Sequence, residues 1–97
     1  YSNAELDPVE DAPTVAGLVT GMCVKDFDMS VQGDKLSKEV MLTPGTGRVD
    51  FPAVMAALRK GGLTGGPLVI ECLTQGEPPA MLAEARKARK FVERLIA

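Results

Sequence analysis

Two short apolar runs, each carrying charge near its end, constrain this chain more than any other feature. They are "GLVTGMCVKD" at residues 17–26, which stops on Lys25-Asp26, and "GPLVIECL" at 66–73, interrupted only by Glu71. Each is rich in Val, Ile or Leu and too short for a helix of its own, so each reads as a strand. Between them lies "DFPAVMAALRKGG". There Asp50 is placed to cap a helix, Pro52 falls in its first turn, and Gly61-Gly62 ends it. Phe51, Val54, Met55 and Leu58 form one stripe at helical spacing. Strand, helix, strand in that order implies parallel strands joined by a right-handed crossover. Both strands read as apolar on both faces, the pattern of a sheet covered by helices on each side. Two parallel strands are too few for such a sheet, so the chain reads as part of a larger α/β structure.

The flanking segments fit that pattern. Asp7-Pro8-Val9-Glu10 is a helix start, with Pro13 placed to kink or end the helix and Gly17 to stop it. A third helix starts at Pro78 or Pro79, with Leu82, Ala85, Ala88, Val92 and Leu95 as its apolar face. Arg86, Lys87, Arg89 and Lys90 then form a solvated face rather than a binding patch. Residues 27–49 make a long connection, with a short ribbon expected around Val40-Met41-Leu42. Loops of that length inside a domain are usually functional. Pro44-Gly45-Thr46-Gly47 resembles a phosphate loop only superficially, having neither the Walker lysine nor a third glycine, and reads better as a tight turn.

Composition narrows the function classes. The chain has 97 residues, enough for one small domain, and its 45% hydrophobic and 25% charged content is that of a globular protein. A net charge of -2, 4% aromatics and no Trp argue against a nucleic-acid partner. No apolar run is long enough to span a membrane and no signal-like segment opens the sequence, so a cytoplasmic location is expected. Two cysteines do not make a disulfide framework, and reduced thiols are the expectation.

Glu71 is the sharpest chemical signal. It interrupts an apolar strand near its carboxyl end, where an unpaired carboxylate is costly. It is therefore paired with a cation or metal, kept for function, or carried just past a strand that ends one residue early. Side chains alternate across a strand, so Cys23 and Lys25 share one face and Asp26 takes the other. By the same parity Glu71 lies with Val69, and Cys72 packs on the reverse as a small core residue, out of reach of Cys23. Cys23 itself stays open between a packing residue, a metal ligand and the remnant of a lost ligand. Asn3 carries no meaning alone, and Ser2-Asn3-Ala4 is equally the remnant a cleaved tag leaves.

Taken together, "VKDF" and "PGTGRVDFPAVMAALRKGGLTGGPLVIECL" resemble the last third of the xylose isomerase-like TIM barrels, the sugar phosphate isomerase/epimerase family. Members typically show a strand ending in His-x-Lys-Asp, a G-x-G turn, a "VDF" helix start and a "GPLVVE"-type strand carrying a metal-binding glutamate. The resemblance implies that residues 1–97 are the C-terminal portion of a TIM (β/α)8 barrel, about strands seven and eight with their flanking helices. It implies a divalent-metal-dependent proton transfer next to a carbonyl of a sugar or sugar phosphate, with Mn, Mg, Co or Zn as the metal. Glu71 would be catalytic and a metal ligand. Lys25 and Asn3 would face the substrate, Asn3 near the end of strand six with the acidic ligand lying before Tyr1.

Cys23 falls where the family places a histidine ligand, in a chain with no histidine. A thiolate suits Zn or Fe and suits Mg or Mn poorly. Cys23 thus marks a lost or weakened metal site, a thiolate ligand, or an inert residue beside an intact remainder. The partners expected are a sugar-type substrate and the rest of the barrel, or another chain, to complete the sheet. Two rivals stand beside the enzyme: a barrel without metal chemistry that binds carbohydrate, and a small free-standing α/β interaction module.

Overall fold

The structure, a computed structural model, describes residues 6–28 and 41–97. Helix α1 (Pro8–Val15) starts where Asp7 accepts the Val9 N–H at 2.7 Å. Pro13 lies inside α1 without ending it. Its missing N–H removes one bond near the end of a short helix, and the chain runs on to Val15 before tightening into a 3-10 turn, Ala16–Leu18. Strand β1 (Met22–Val24) follows, then β2 (Asp26–Phe27) and β3 (Met41–Leu42). Helix α2 (Phe51–Lys60) is capped by Asp50, which accepts the Ala53 N–H at 3.0 Å. It ends where Gly62 N–H bonds the Arg59 carbonyl and Leu63 N–H the Leu58 carbonyl, each at 3.0 Å. That is a Schellman stop, and Leu63 folds back onto the core beneath it. Strand β4 (Leu68–Ile70) and helix α3 (Pro78–Ile96) complete the described chain.

Strands β1 and β4 pair in parallel, Met22 with Leu68, Cys23 with Val69 and Val24 with Ile70, so α2 lies on the connection between two parallel neighbours as expected. The ladder is shorter than the apolar runs suggested, covering three residues of each. Beyond Val24 the chain turns into β2, which pairs antiparallel with β3, Asp26 with Leu42 and Phe27 with Met41. The ribbon expected around residues 40–42 is formed at Met41–Leu42, Val40 lying outside the described residues, and its partner is the segment directly after β1.

The core lies on one side of this sheet. Val24 is fully buried against Phe51 and Val92, with Met22, Leu68, Ile70 and Phe91 packed around them. Phe51 and Phe91 meet edge to face, ring centroids 5.6 Å apart. A second cluster joins Ala12 and Ala16 to Val54, Met55 and Leu58, so the α2 stripe read from the sequence is buried throughout. The sheet itself departs from expectation. Cys23 is exposed and Val69 is 50% exposed, so among the described residues the second face is uncovered.

Helix α3 is also turned slightly from the expected face. Ala88 and Val92 are buried, but Leu82 is 54% exposed, and Met81 and Phe91 take places in the half-buried stripe. Met81, Ala85, Ala88, Val92 and Leu95 follow helical spacing as well as the set that began at Leu82, and contact with the sheet selects between them. Arg86, Lys87, Arg89 and Lys90 are all exposed. Among the described residues no helix is long and apolar enough to cross a membrane.

The two leucines offer a direct check of which surfaces carry stability. Leu58→Ala should cost about 2–5 kcal/mol, the usual range for an emptied core position. Leu82→Ala should stay within about 0.5 kcal/mol of the parent. Urea denaturation of both variants measures the difference, and equal costs would contradict the placement of α3.

Candidate functional site

The parallel strands end in three charged residues, and the three are held differently. Asp26 points into the protein and is fully buried. Its carboxylate accepts backbone N–H groups along both oxygens: Oδ1 from Phe27 at 2.9 Å and Val49 at 3.2 Å, Oδ2 from Gly45 and Gly47, each at 2.9 Å. A buried carboxylate is tolerated when hydrogen bonds replace its hydration. Here the replacement comes from a turn of the main chain. Thr46 N–H and hydroxyl both return to the Thr43 carbonyl, closing a β-turn with Pro44 and Gly45 at its centre. Gly45 has φ 92°, the conformation that a type II turn requires after Pro. A side chain at Gly47 would strike the Asp26 carboxylate itself. The glycines thus serve a carboxylate of this chain, and the tight-turn reading of Pro44–Gly47 is the one observed.

The same loop is tied to the other strand. Thr43, also fully buried, donates its N–H to the Thr74 hydroxyl, and Thr74 donates its N–H to the Thr43 hydroxyl, both at 3.0 Å. The Thr43 hydroxyl donates in turn to Glu84 on α3. Lys87 also bonds Glu84, at 2.6 Å, and these hydrogen bonds, that from Lys87 foremost, hold the Glu84 carboxyl below the usual range. Cys72 makes a long S–H contact to the Leu42 carbonyl, 3.8 Å. Cys72 is half-buried beside the ribbon and across the cleft from α3, less enclosed than the core residue the parity argument expects, the strand having ended two residues earlier. Burial still pushes its thiol up.

Lys25 and Glu71 lie across from each other on the open side. Lys25 Nζ is 3.1 Å from Glu71 Oε1, with the two side chains 45% and 47% exposed. Strand β4 stops at Ile70, one residue before Glu71, although the Glu71 N–H still bonds the Val24 carbonyl at 3.1 Å. Glu71 is therefore neither deeply buried nor unpaired. A pair this exposed contributes at most about 1 kcal/mol to stability. Both residues line an open cleft of about 1140 Å³, walled on the β4 side by Cys72, Thr74 and Gln75 and on the helix side by Met81 and Ala85.

The residues expected at a site are thus partly assembled. Lys25 and Glu71 come together, and Cys23 is exposed on the same side of the sheet, in register with Val69. Asn3 lies outside the described residues. Cys23 and Glu71 offer two donors for a divalent ion, and among the described residues no group of three or more His, Cys, Asp or Glu comes together to hold one. These residues do not fit a metal on their own. What sequence reasoning missed is the anchoring set, Asp26, Thr43, Thr74 and Glu84. A signal for Asp26 existed: parity turned it inward, and a buried carboxylate requires donors that a following G-x-G turn can supply.

Asp26 should tolerate no replacement. Because each oxygen accepts two N–H groups, an asparagine amide must present its own donors to two others whichever way it turns. Asp26→Asn and Asp26→Ala should each cost about 3 kcal/mol or more. An Asn variant within 1 kcal/mol of the parent by urea denaturation would show that the charge is not needed. At Cys23, Cys23→His should strengthen binding of Mn or Co if ligands beyond the described residues complete the set. Titration calorimetry with unchanged affinity would remove Cys23 as a ligand position.

Comparison with known proteins supplies no relative: no family model, no curated protein and no solved structure matches this chain, and its chemistry must be argued from the geometry above.

Proposed function

We propose that this chain supplies the strand ends of a sugar or sugar-phosphate isomerase or epimerase, built as the C-terminal portion of a TIM barrel. The observation that carries the reading is the meeting of Lys25 and Glu71 at the carboxyl ends of adjacent parallel strands, on the wall of an open cleft. Ligands of parallel α/β sheets bind at that end of the strands. The two-stranded parallel sheet and its uncovered face at Cys23 and Val69 support further strands at its edges and a covering layer over that face, from the same protein or another chain.

In this reading Glu71 is the base. Its carboxylate takes the proton from the carbon next to the substrate carbonyl; the C–H electron pair becomes the new C=C bond and the carbonyl π pair moves onto the oxygen. Lys25, held at 3.1 Å from Glu71, is placed to donate a hydrogen bond to that developing oxyanion. Returning the proton from Glu71 to the former carbonyl carbon, while the adjacent substrate hydroxyl gives its proton to the oxyanion and becomes the new carbonyl, completes an isomerisation. A divalent ion at this site would take Glu71 and Cys23 among its ligands and the others from beyond the described residues.

A second reading rests on the same pair. Glu71 is already neutralised by Lys25, and Cys23 stands where the resembled family has histidine, which favours a barrel that binds carbohydrate without metal chemistry. The two readings separate in a solvent-deuterium exchange assay. A panel of ketoses and keto-sugar derivatives, with and without added Mn or Co, is incubated with the protein and with Glu71→Gln. The enzyme reading expects exchange that falls about 10²–10⁴-fold in the variant, the usual worth of a positioned base. Equal exchange by both proteins would end the role given to Glu71. Binding of a sugar without exchange would favour the second reading. A compact, stable monomer of residues 1–97 on size exclusion would instead support a free-standing interaction module.

A further inference from the structure

The segment from Leu42 to Val49 is bonded to the ends of both parallel strands at once. On the β1 side, Asp26 accepts the N–H groups of Gly45, Gly47 and Val49, Arg48 N–H bonds the Phe27 carbonyl at 2.9 Å, and Leu42 pairs with Asp26 in the ribbon. On the β4 side, the reciprocal Thr43–Thr74 bonds hold the chain three residues beyond Glu71. Asp26 directly follows Lys25. Lys25 is thus next to one anchor and Glu71 lies three residues from the other, and the two anchors share one short, turn-stiffened loop.

The ladder alone does not supply this rigidity. Strands β1 and β4 pair over three residues, and the last backbone bond between their ends is Glu71 N–H to the Val24 carbonyl. Exposed ends of so short a ladder fray readily. The Lys25–Glu71 contact, half in solvent, is too weak to hold them. Thr43, by contrast, is fully buried and uses its N–H and hydroxyl in three bonds, one of them to α3.

We propose that Thr43 is a positioning residue, the point through which loop 43–49 staples the two strand ends and sets the spacing of Lys25 and Glu71. The inference deepens the proposed function by naming what fixes that site, and it rests on Lys25 and Glu71 being the site. Thr43 touches neither side chain and acts through Thr74 and the Asp26-bound turn.

Amide hydrogen exchange by NMR on the full-length protein tests it, without any need for turnover. Thr43→Val keeps the shape and removes the hydroxyl. Protection of the Glu71 amide should fall about tenfold, the scale of one lost buried hydrogen bond, while the Met55 and Leu58 amides of α2 keep theirs. Thr43→Ser should restore Glu71 protection. If the Val variant does not fold, Thr74→Val breaks the same link from its other side, with the same loss expected at Glu71. Unchanged protection at Glu71 in a folded variant overturns the staple, as does an equal fall at Glu71 and in α2, which would mark Thr43 as a contributor to global stability only. Because the readout is local opening, the staple can fail while Glu71-dependent deuterium exchange persists, and the converse outcome is equally visible.

Discussion

A buried carboxylate that must be satisfied organises this protein. Asp26 has no access to water, and the groups that replace its hydration are main-chain N–H groups. Side-chain cations could have served, but their reach varies with rotamer, whereas backbone donors fix the path of the chain that carries them. Satisfying Asp26 therefore determines where residues 45–49 run, requires a turn at Pro44-Gly45, and excludes a side chain at 47. The entry of α2 follows at once, since Val49 N–H is one of the four donors and Asp50 is the helix cap. Among the described residues no buried side-chain nitrogen or oxygen lacks a partner, so the polar interior closes on itself.

The alternation of the strands then divides chemistry from packing. Val24 and Asp26 face the helices, one as apolar core and the other as anchor. Cys23, Lys25, Val69 and Glu71 are all exposed. One residue of slip in β1 would exchange these sets, burying Lys25 and exposing Asp26. The three N–H bonds to Asp26 from Gly45, Gly47 and Val49 oppose that slip in a way that a three-residue ladder cannot, so the anchor also protects the register that brings Lys25 opposite Glu71.

How much of this could be read from the sequence follows from the range of each interaction. The α2 stripe, its Asp50 cap and its glycine stop are local and periodic, and they stand as expected. The parallel pairing of β1 with β4 followed from element order, because a helix between two apolar runs leaves few alternatives. Strand lengths were overread: "VIECL" remains apolar past Ile70, but Cys72 and Thr74 bond to the loop instead of to β1. Leu82 was misassigned because Met81 and Leu82 are both apolar neighbours at the start of α3, and tertiary contact decides which turns inward. Asp26 was placed on the correct face, but its role depended on donors 19 to 23 residues away. Backbone N–H groups leave no trace in residue identity, and only the glycines around them hinted at the turn.

The candidate site inherits its chemistry from what the open face lacks. In the proposed reading, a proton taken and returned on this face is assigned to a carboxylate, the chain itself having no histidine. Asp26 cannot serve, since both of its oxygens are committed to backbone donors and it has no exposure. Glu71 is open by comparison: one oxygen contacts Lys25 and the side chain is nearly half exposed. Two carboxylates at neighbouring strand ends thus divide the work by environment. The one enclosed by main-chain donors fixes the path of the loop, and the one left half in solvent beside the Lys25 ammonium is the one to which the proposed reading gives the proton transfer.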